Sequence, residues 1–186
     1  MQKRSNKREK LLDAATQLIH QQGFKHTTLA DIAEQSEVPL GNVYYYFKTK
    51  EDLASAVIND RKEDLNNIID GWEKVYQDPR QRLLAYLDLL DSHKDSIAKN
   101  GCPIGGLCQE LNKEIGFLGE LAGETMQLQI DWAESQFRQM GVEDPNGAAI
   151  ELMSTLQGIS LIANSLKMPK IVSEQIARLR QKISII

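Results

Sequence analysis

Three consecutive tyrosines, Tyr44, Tyr45 and Tyr46, stand between Asn42 and two lysines, Lys48 and Lys50, in a segment that opens Val38-Pro39-Leu40-Gly41. Phenol hydroxyls can donate to phosphate oxygens, ammonium groups bring charge to the same oxygens, and an asparagine amide can pair with a base edge. Together these groups suit a nucleic-acid backbone. Val43 and Phe47 are four residues apart and share one helix face, so Gly41, Asn42, Tyr44 and Tyr45 point away from whatever that face covers. Tyr46 lies on the flank of the Val43/Phe47 face, and packing on the domain core is its alternative to phosphate contact.

Residues of other reactive types are scattered. His20, His26 and His93 fall in different segments, and Cys102 and Cys108 are the only cysteines. No zinc-like Cys/His spacing, phosphate-cradling glycine loop or nucleophile motif is present, so no metal site and no cofactor are expected. A helical enzyme without DNA binding is the rival reading, and these few residues would have to carry its chemistry. Two cysteines are too few for a disulfide framework and fit a reducing compartment. No apolar run nears the roughly 18 residues that would span a bilayer, and the N-terminus leads into no signal-type block, so a cytoplasmic protein without a membrane partner is expected. The net charge of −4 is uneven: residues 1–50 carry +3 and the rest −7. A basic head on an acidic body can orient a protein on an anion.

The elements that position the tyrosines can be read outward from them. Leu11, Leu12, Ala15, Leu18 and Ile19 recur at helical spacing, and Gly23 supplies a stop. Thr28 followed by Asp31 is a capping-box start for a short helix bearing Leu29, Ile32 and Ala33. Ser36-Glu37-Val38 forms a turn, and Pro39 is tolerated in the first turn of the tyrosine helix. Thr49 and Asp52 repeat the capping pattern and open a long fourth helix with Leu53, Val57, Ile58, Leu65, Ile68, Ile69 and Trp72 as inward candidates. Two short helices joined by a tight turn make a helix-turn-helix, whose second helix enters the major groove. Lys3, Arg4, Lys7 and Arg8 form either a minor-groove arm or a solvated tail.

Beyond residue 60 the chain reads as helices only, giving an all-α protein of about nine helices. Breaks are expected near Asp78-Pro79, Cys102-Pro103, Gly141 and Pro169. Residues 148–166 are apolar on almost every side, so that helix cannot turn a broad face to water. Leu152, Leu156, Ile159 and Ala163 on it, with Ile176, Leu179 and Ile183 on the last helix, suggest a homodimer interface; an ordinary core is the alternative.

Thr27-Thr28-Leu29-Ala30-Asp31-Ile32-Ala33 followed by Gly41-Asn42-Val43-Tyr44-Tyr45-Tyr46-Phe47-Lys48-Thr49-Lys50-Glu51-Asp52-Leu53 strongly resembles the DNA-binding domain of tetracycline-repressor (TetR) family regulators, over about residues 7–58. Glu37 departs from the pattern, standing where the family usually has a turn glycine. The resemblance implies a helix-turn-helix domain at 1–50 and a helical effector-binding and dimerisation domain at 51–186. It assigns Thr28, Tyr45, Tyr46 and Lys50 to phosphates, with Lys48 adding charge, and Leu40, Gly41, Asn42 and Tyr44 to the groove. It further implies a dimer bundle from the last two helices, and an effector pocket behind helix four, whose tilt would carry the signal. Trp72, Tyr76, Tyr86, Cys102, Phe117, Met126 and Trp132 are the seven pocket candidates. The expected function is a ligand-responsive regulator, by family habit a repressor. It would bind a near-palindromic double-stranded operator as a homodimer, with half-sites spaced by ~34–36 Å or a multiple, until released by a small-molecule effector. Gly101-Cys102-Pro103-Ile104-Gly105-Gly106-Leu107-Cys108 resembles a segment of one subset of these regulators and motivates an alternative in which Cys102, beside a helix N-terminus, senses oxidants or electrophiles.

Overall fold

The computed structural model describes residues 2–114 and 116–186, with side chains for 7–113 and 116–186. Its elements are α1 (Gln2–Gln22), α2 (Leu29–Gln35), α3 (Leu40–Tyr46), α4 (Lys50–Val75), α5 (Pro79–Ser92), α6 (Lys94–Asn100), α7 (Pro103–Glu114), α8 (Gly116–Gln139), α9 (Pro145–Leu166) and α10 (Pro169–Ile185). No strand occurs among the described residues. Ten helices among the described residues agree with the expected all-α protein of about nine; His93 divides the run after Pro79 into two of them. Its amide turns back to Leu90 O at 3.1 Å, and its ring Nδ1 lies 2.8 Å from Leu89 O. Among the described residues no helix is long and apolar enough to cross a membrane.

The chain divides into two compact units. The first contains residues up to Leu65 together with Gly106–Thr125. Leu11, Ile32, Val43, Leu53, Val57, Leu111 and Leu118 are buried in one continuous core, to which α1 and α4 contribute apolar faces; Ile68 of α4, expected inward, is exposed instead. Each such aliphatic side chain contributes about 1.5–3 kcal/mol when fully buried. Residue 50, the expected boundary, is the first residue of α4. Leu53, Ala54, Val57 and Ile58 of α4 and Leu107, Leu111, Leu118 and Ala122 of α7 and α8 share the core of the helix-turn-helix.

Asp60, on α4, carries an electrostatic cost. Burial, and then repulsion from Asp64, Asp13 and Glu63, push its carboxyl above the usual carboxylate range, with Arg8 opposing. The folded state therefore binds this proton more tightly than the unfolded chain does. The stability lost to Asp60 is absent at pH below the usual carboxylate value and appears as pH rises through the raised one. Asp60→Asn should raise the melting temperature at neutral pH and leave it unchanged in acid, as thermal unfolding at both pH values can check; a lower melting temperature at neutral pH would contradict the assignment.

The second unit comprises Asn66–Gly105 and Met126–Ile186. In it α10 packs on α5, α6 and α9, and α6 packs on α9. The expected interface residues lie on α9 and α10 of this unit. Leu152, Leu156, Ile159, Ala163, Ile176 and Ile183 are all buried within the single chain, and only Leu179 is half-exposed. The apolar side chains that α9 turns outward are others: Leu161 is 61% exposed, Ile162 51% and Leu166 58%, with Ile150 also exposed. A helix that is apolar all round has no periodic signal to separate an inner face from an outer one.

Candidate nucleic-acid interface

Reciprocal bonds hold the start of α2. Thr28 Oγ1 accepts from the Asp31 amide at 3.1 Å, and Asp31 Oδ2 accepts from the Thr28 amide at 2.8 Å. This is the expected capping box. Those backbone and side-chain bonds from Thr28, with the charge of Lys50, hold the Asp31 carboxyl below its ordinary range. α2 ends in a Schellman arrangement: the Val38 amide reaches Ala33 O at 3.0 Å and the Glu37 amide reaches Glu34 O at 3.1 Å. Glu37 takes φ 55°, the left-handed conformation that a glycine adopts without strain, at a cost of about 1 kcal/mol.

α3 begins one residue after Pro39, which occupies the N-cap. Val43, fully buried, and Phe47 anchor its inner side. On the outer side Tyr44 is 49% and Tyr45 60% exposed, Leu40 and Gly41 are exposed, and Asn42 is half-exposed. Tyr46 is half-buried against the core and meets Tyr45 edge-to-face, with ring centroids 5.1 Å apart. Lys48 Nζ donates to Tyr44 O at 3.2 Å, at the end of α3. Thr49 and Asp52 form a second reciprocal cap, at 3.0 and 3.1 Å, before α4. Lys50 Nζ donates to Lys25 O at 3.1 Å and lies 4.3 Å over the Phe24 ring.

The structure thus brings Leu40, Gly41, Asn42, Tyr44 and Tyr45 onto one outward surface, puts Lys48 at its end, and fixes Thr28 and Lys50 at the starts of the two neighbouring helices. The expected basic arm is corrected in part. Lys7 and Arg8 belong to α1, and the Arg8 guanidinium lies 5.7 Å over the Phe47 ring; the side chains of Lys3 and Arg4 lie outside the described residues.

Residues 11–57 match the family model described as bacterial regulatory proteins, tetR family. The HTH-type transcriptional regulator LmrA of Bacillus subtilis (strain 168) is 32% identical over 142 residues, 74% of this chain and 74% of its own. The chain belongs to the TetR family. A solved TetR transcriptional regulator from Chloroflexus aurantiacus shares the fold with a TM-score of 0.85, at 20% identity, over 99% of this chain and 97% of that one. Another, from Legionella pneumophila, does so with a TM-score of 0.84, at 19% identity, over 95% and 94%. This TetR-family member is a DNA-binding transcriptional regulator and not an enzyme.

Within the second unit of the regulator, three of the seven effector-pocket candidates meet. Trp72 of α4, Tyr86 of α5 and Trp132 of α8 have ring centroids 5.4 to 6.0 Å apart. The Tyr86 hydroxyl donates to Gln129 Oε1 at 2.8 Å and lies 3.7 Å from Met153 Sδ, and burial raises its pKa. Trp132 Nε1 is buried without a hydrogen-bond partner among the described residues. Tyr76 and Met126 are half-exposed in the same unit. Cys102 Sγ accepts from the Gly105 amide at 3.3 Å and from Gln157 Nε2 at 3.5 Å, so the thiol caps α7. Phe117, in the first unit, is 56% exposed. Gln129 and buried Gln136 escaped the sequence reading. Their signal was available, since both are polar and lie three or four residues from Trp132 on one helical stripe.

Proposed function

We propose that this regulator is a homodimeric repressor that binds a near-palindromic operator and is released by a small-molecule effector. The observation that carries the reading is the partition at α3: Val43 and the C-cap residue Phe47 are buried while Tyr44 and Tyr45, between them in sequence, face solvent. In this reading Leu40, Gly41, Asn42 and Tyr44 enter the major groove, and Thr28, Tyr45, Tyr46, Lys48 and Lys50 hold the phosphates. One such helix makes few contacts, so a two-fold pair reads two half-sites. The outward Leu161, Ile162 and Leu166 of α9 supply the apolar face for pairing.

The Trp72, Tyr86 and Trp132 cluster supports an effector site, with the buried indole N–H of Trp132 available to an acceptor on the effector. α4 carries Lys50 at its first residue and Trp72 in its last turns, so one helix bears both a phosphate contact and a pocket residue. Complete release demands that the effector favour the free state by about 10⁴-fold, about 5.5 kcal/mol.

Selecting bound fragments from random DNA, followed by titration at several salt concentrations, tests the reading. The recovered duplexes should share a palindrome, bind two protomers, and lose affinity steeply with salt. Recovery of no common sequence, with weak salt-insensitive binding, would defeat it.

A further inference from the structure

We infer that Glu110 of α7 is a positioning residue for DNA binding, acting through the turn between α1 and α2; this rests on the operator-binding reading above. Gly23 closes α1 with φ +85°, and the next two amides then point the same way. The Phe24 amide donates to Glu110 Oε2 at 2.8 Å and the Lys25 amide to Glu110 Oε1 at 2.7 Å. One carboxylate thus fills a two-amide nest, one oxygen to each N–H. A Cβ on residue 23 would stand 3.0 and 3.1 Å from those oxygens, so glycine serves both the backbone angle and the approach.

The same turn is held from its other side. Lys50 donates to Lys25 O and covers the Phe24 ring, and Thr27 Oγ1 donates to Gly23 O at 2.7 Å. Three residues after Lys25 comes Thr28, the cap of α2. Glu110 therefore fixes the backbone that orients two groups assigned to phosphates, Thr28 and Lys50, while touching no DNA itself. Bonds from amides to an ionised acceptor are about twice as strong as neutral ones, which suits a latch on a short turn.

The test is titration of full-length Glu110→Gln against a duplex recovered in the selection and a random-sequence duplex. Glu110→Gln should bind both about ten-fold more weakly, the equivalent of one charge-assisted hydrogen bond. Its slope of log affinity on log salt should fall by about one, with circular dichroism and melting temperature close to wild type. In a Lys50→Ala background the Glu110→Gln effect should shrink to the part carried by Thr28, because Glu110 and Lys50 act on one turn. Unchanged affinity, or full additivity with Lys50→Ala, overturns the inference while the operator reading stands. A wild type that binds neither duplex sinks the operator reading and Glu110 with it. Should Glu110→Gln unfold, hydrogen exchange of the wild-type Phe24 and Lys25 amides decides: slow exchange, slower still with duplex, supports the latch, and fast exchange or indifference to duplex overturns it.

Discussion

Tyr45→Ala combined with Lys50→Ala should weaken binding to operator and random duplex alike, by about 10- to 100-fold near physiological salt. In the proposed assignment each truncation takes away one side-chain bond to a phosphate, about 1 kcal/mol or somewhat more, and a neutralised phosphate contributes about 0.9 to the salt slope on B-form DNA. Only Lys50 carries charge, so the slope should fall by about one rather than two. Tyr45 is 60% exposed, so removing its ring costs the fold little. Lys50 is different. Its bond to Lys25 O and its packing on Phe24 mean that part of its effect is local order, and the melting temperature must be measured beside the affinity. Asn42→Ala supplies the contrast: if Asn42 pairs with a base edge as proposed, its loss should relax sequence preference by about 1–3 kcal/mol with little change on random duplex. Equal affinities for wild type and double variant on both duplexes would remove these side chains from the interface.

The second large effect concerns α9. Leu161→Glu with Ile162→Glu should convert a dimer to a monomer and lower operator affinity by at least about 100-fold, since each half-site then binds alone. Both side chains are more than half exposed in the single chain, so charge there is tolerated by the subunit and penalised only where a partner covers it. Leu156→Ala is the informative control. Leu156 is buried within the subunit, and its truncation should cost about 2–5 kcal/mol of stability through cavity formation. Sedimentation velocity and thermal melts on the same samples separate the outcomes. A charged double variant that stays dimeric, with operator binding intact, would move the interface away from this face of α9.

The helix-turn-helix was legible because its signals are local. Thr28 with Asp31 and Thr49 with Asp52 mark helix starts by bonds that span three residues, and both caps form as their spacing predicts. Val43 and Phe47 set the inner face of α3 by their separation alone, and the exposure of Tyr44 and Tyr45 follows from it. Glu37 was readable as a left-handed position only through the glycine that the family usually places there, and its φ of 55° agrees.

Sequence alone determined the all-helical class, the two caps, the turn and the outward set on α3, because hydrogen bonds and side-chain facing within a few residues depend on spacing. Tertiary structure decided what spacing cannot encode. It chose which side of the uniformly apolar α9 lies inward, burying Leu152, Leu156 and Ile159 and leaving Leu161, Ile162 and Leu166 outside. It gathered Trp72, Tyr86 and Trp132 from three helices and left the Phe117 ring exposed. It also brought Glu110 to amides 85 and 86 residues away. Each of these choices follows from how whole helices share a limited buried volume, a balance over many distant neighbours that no local pattern records.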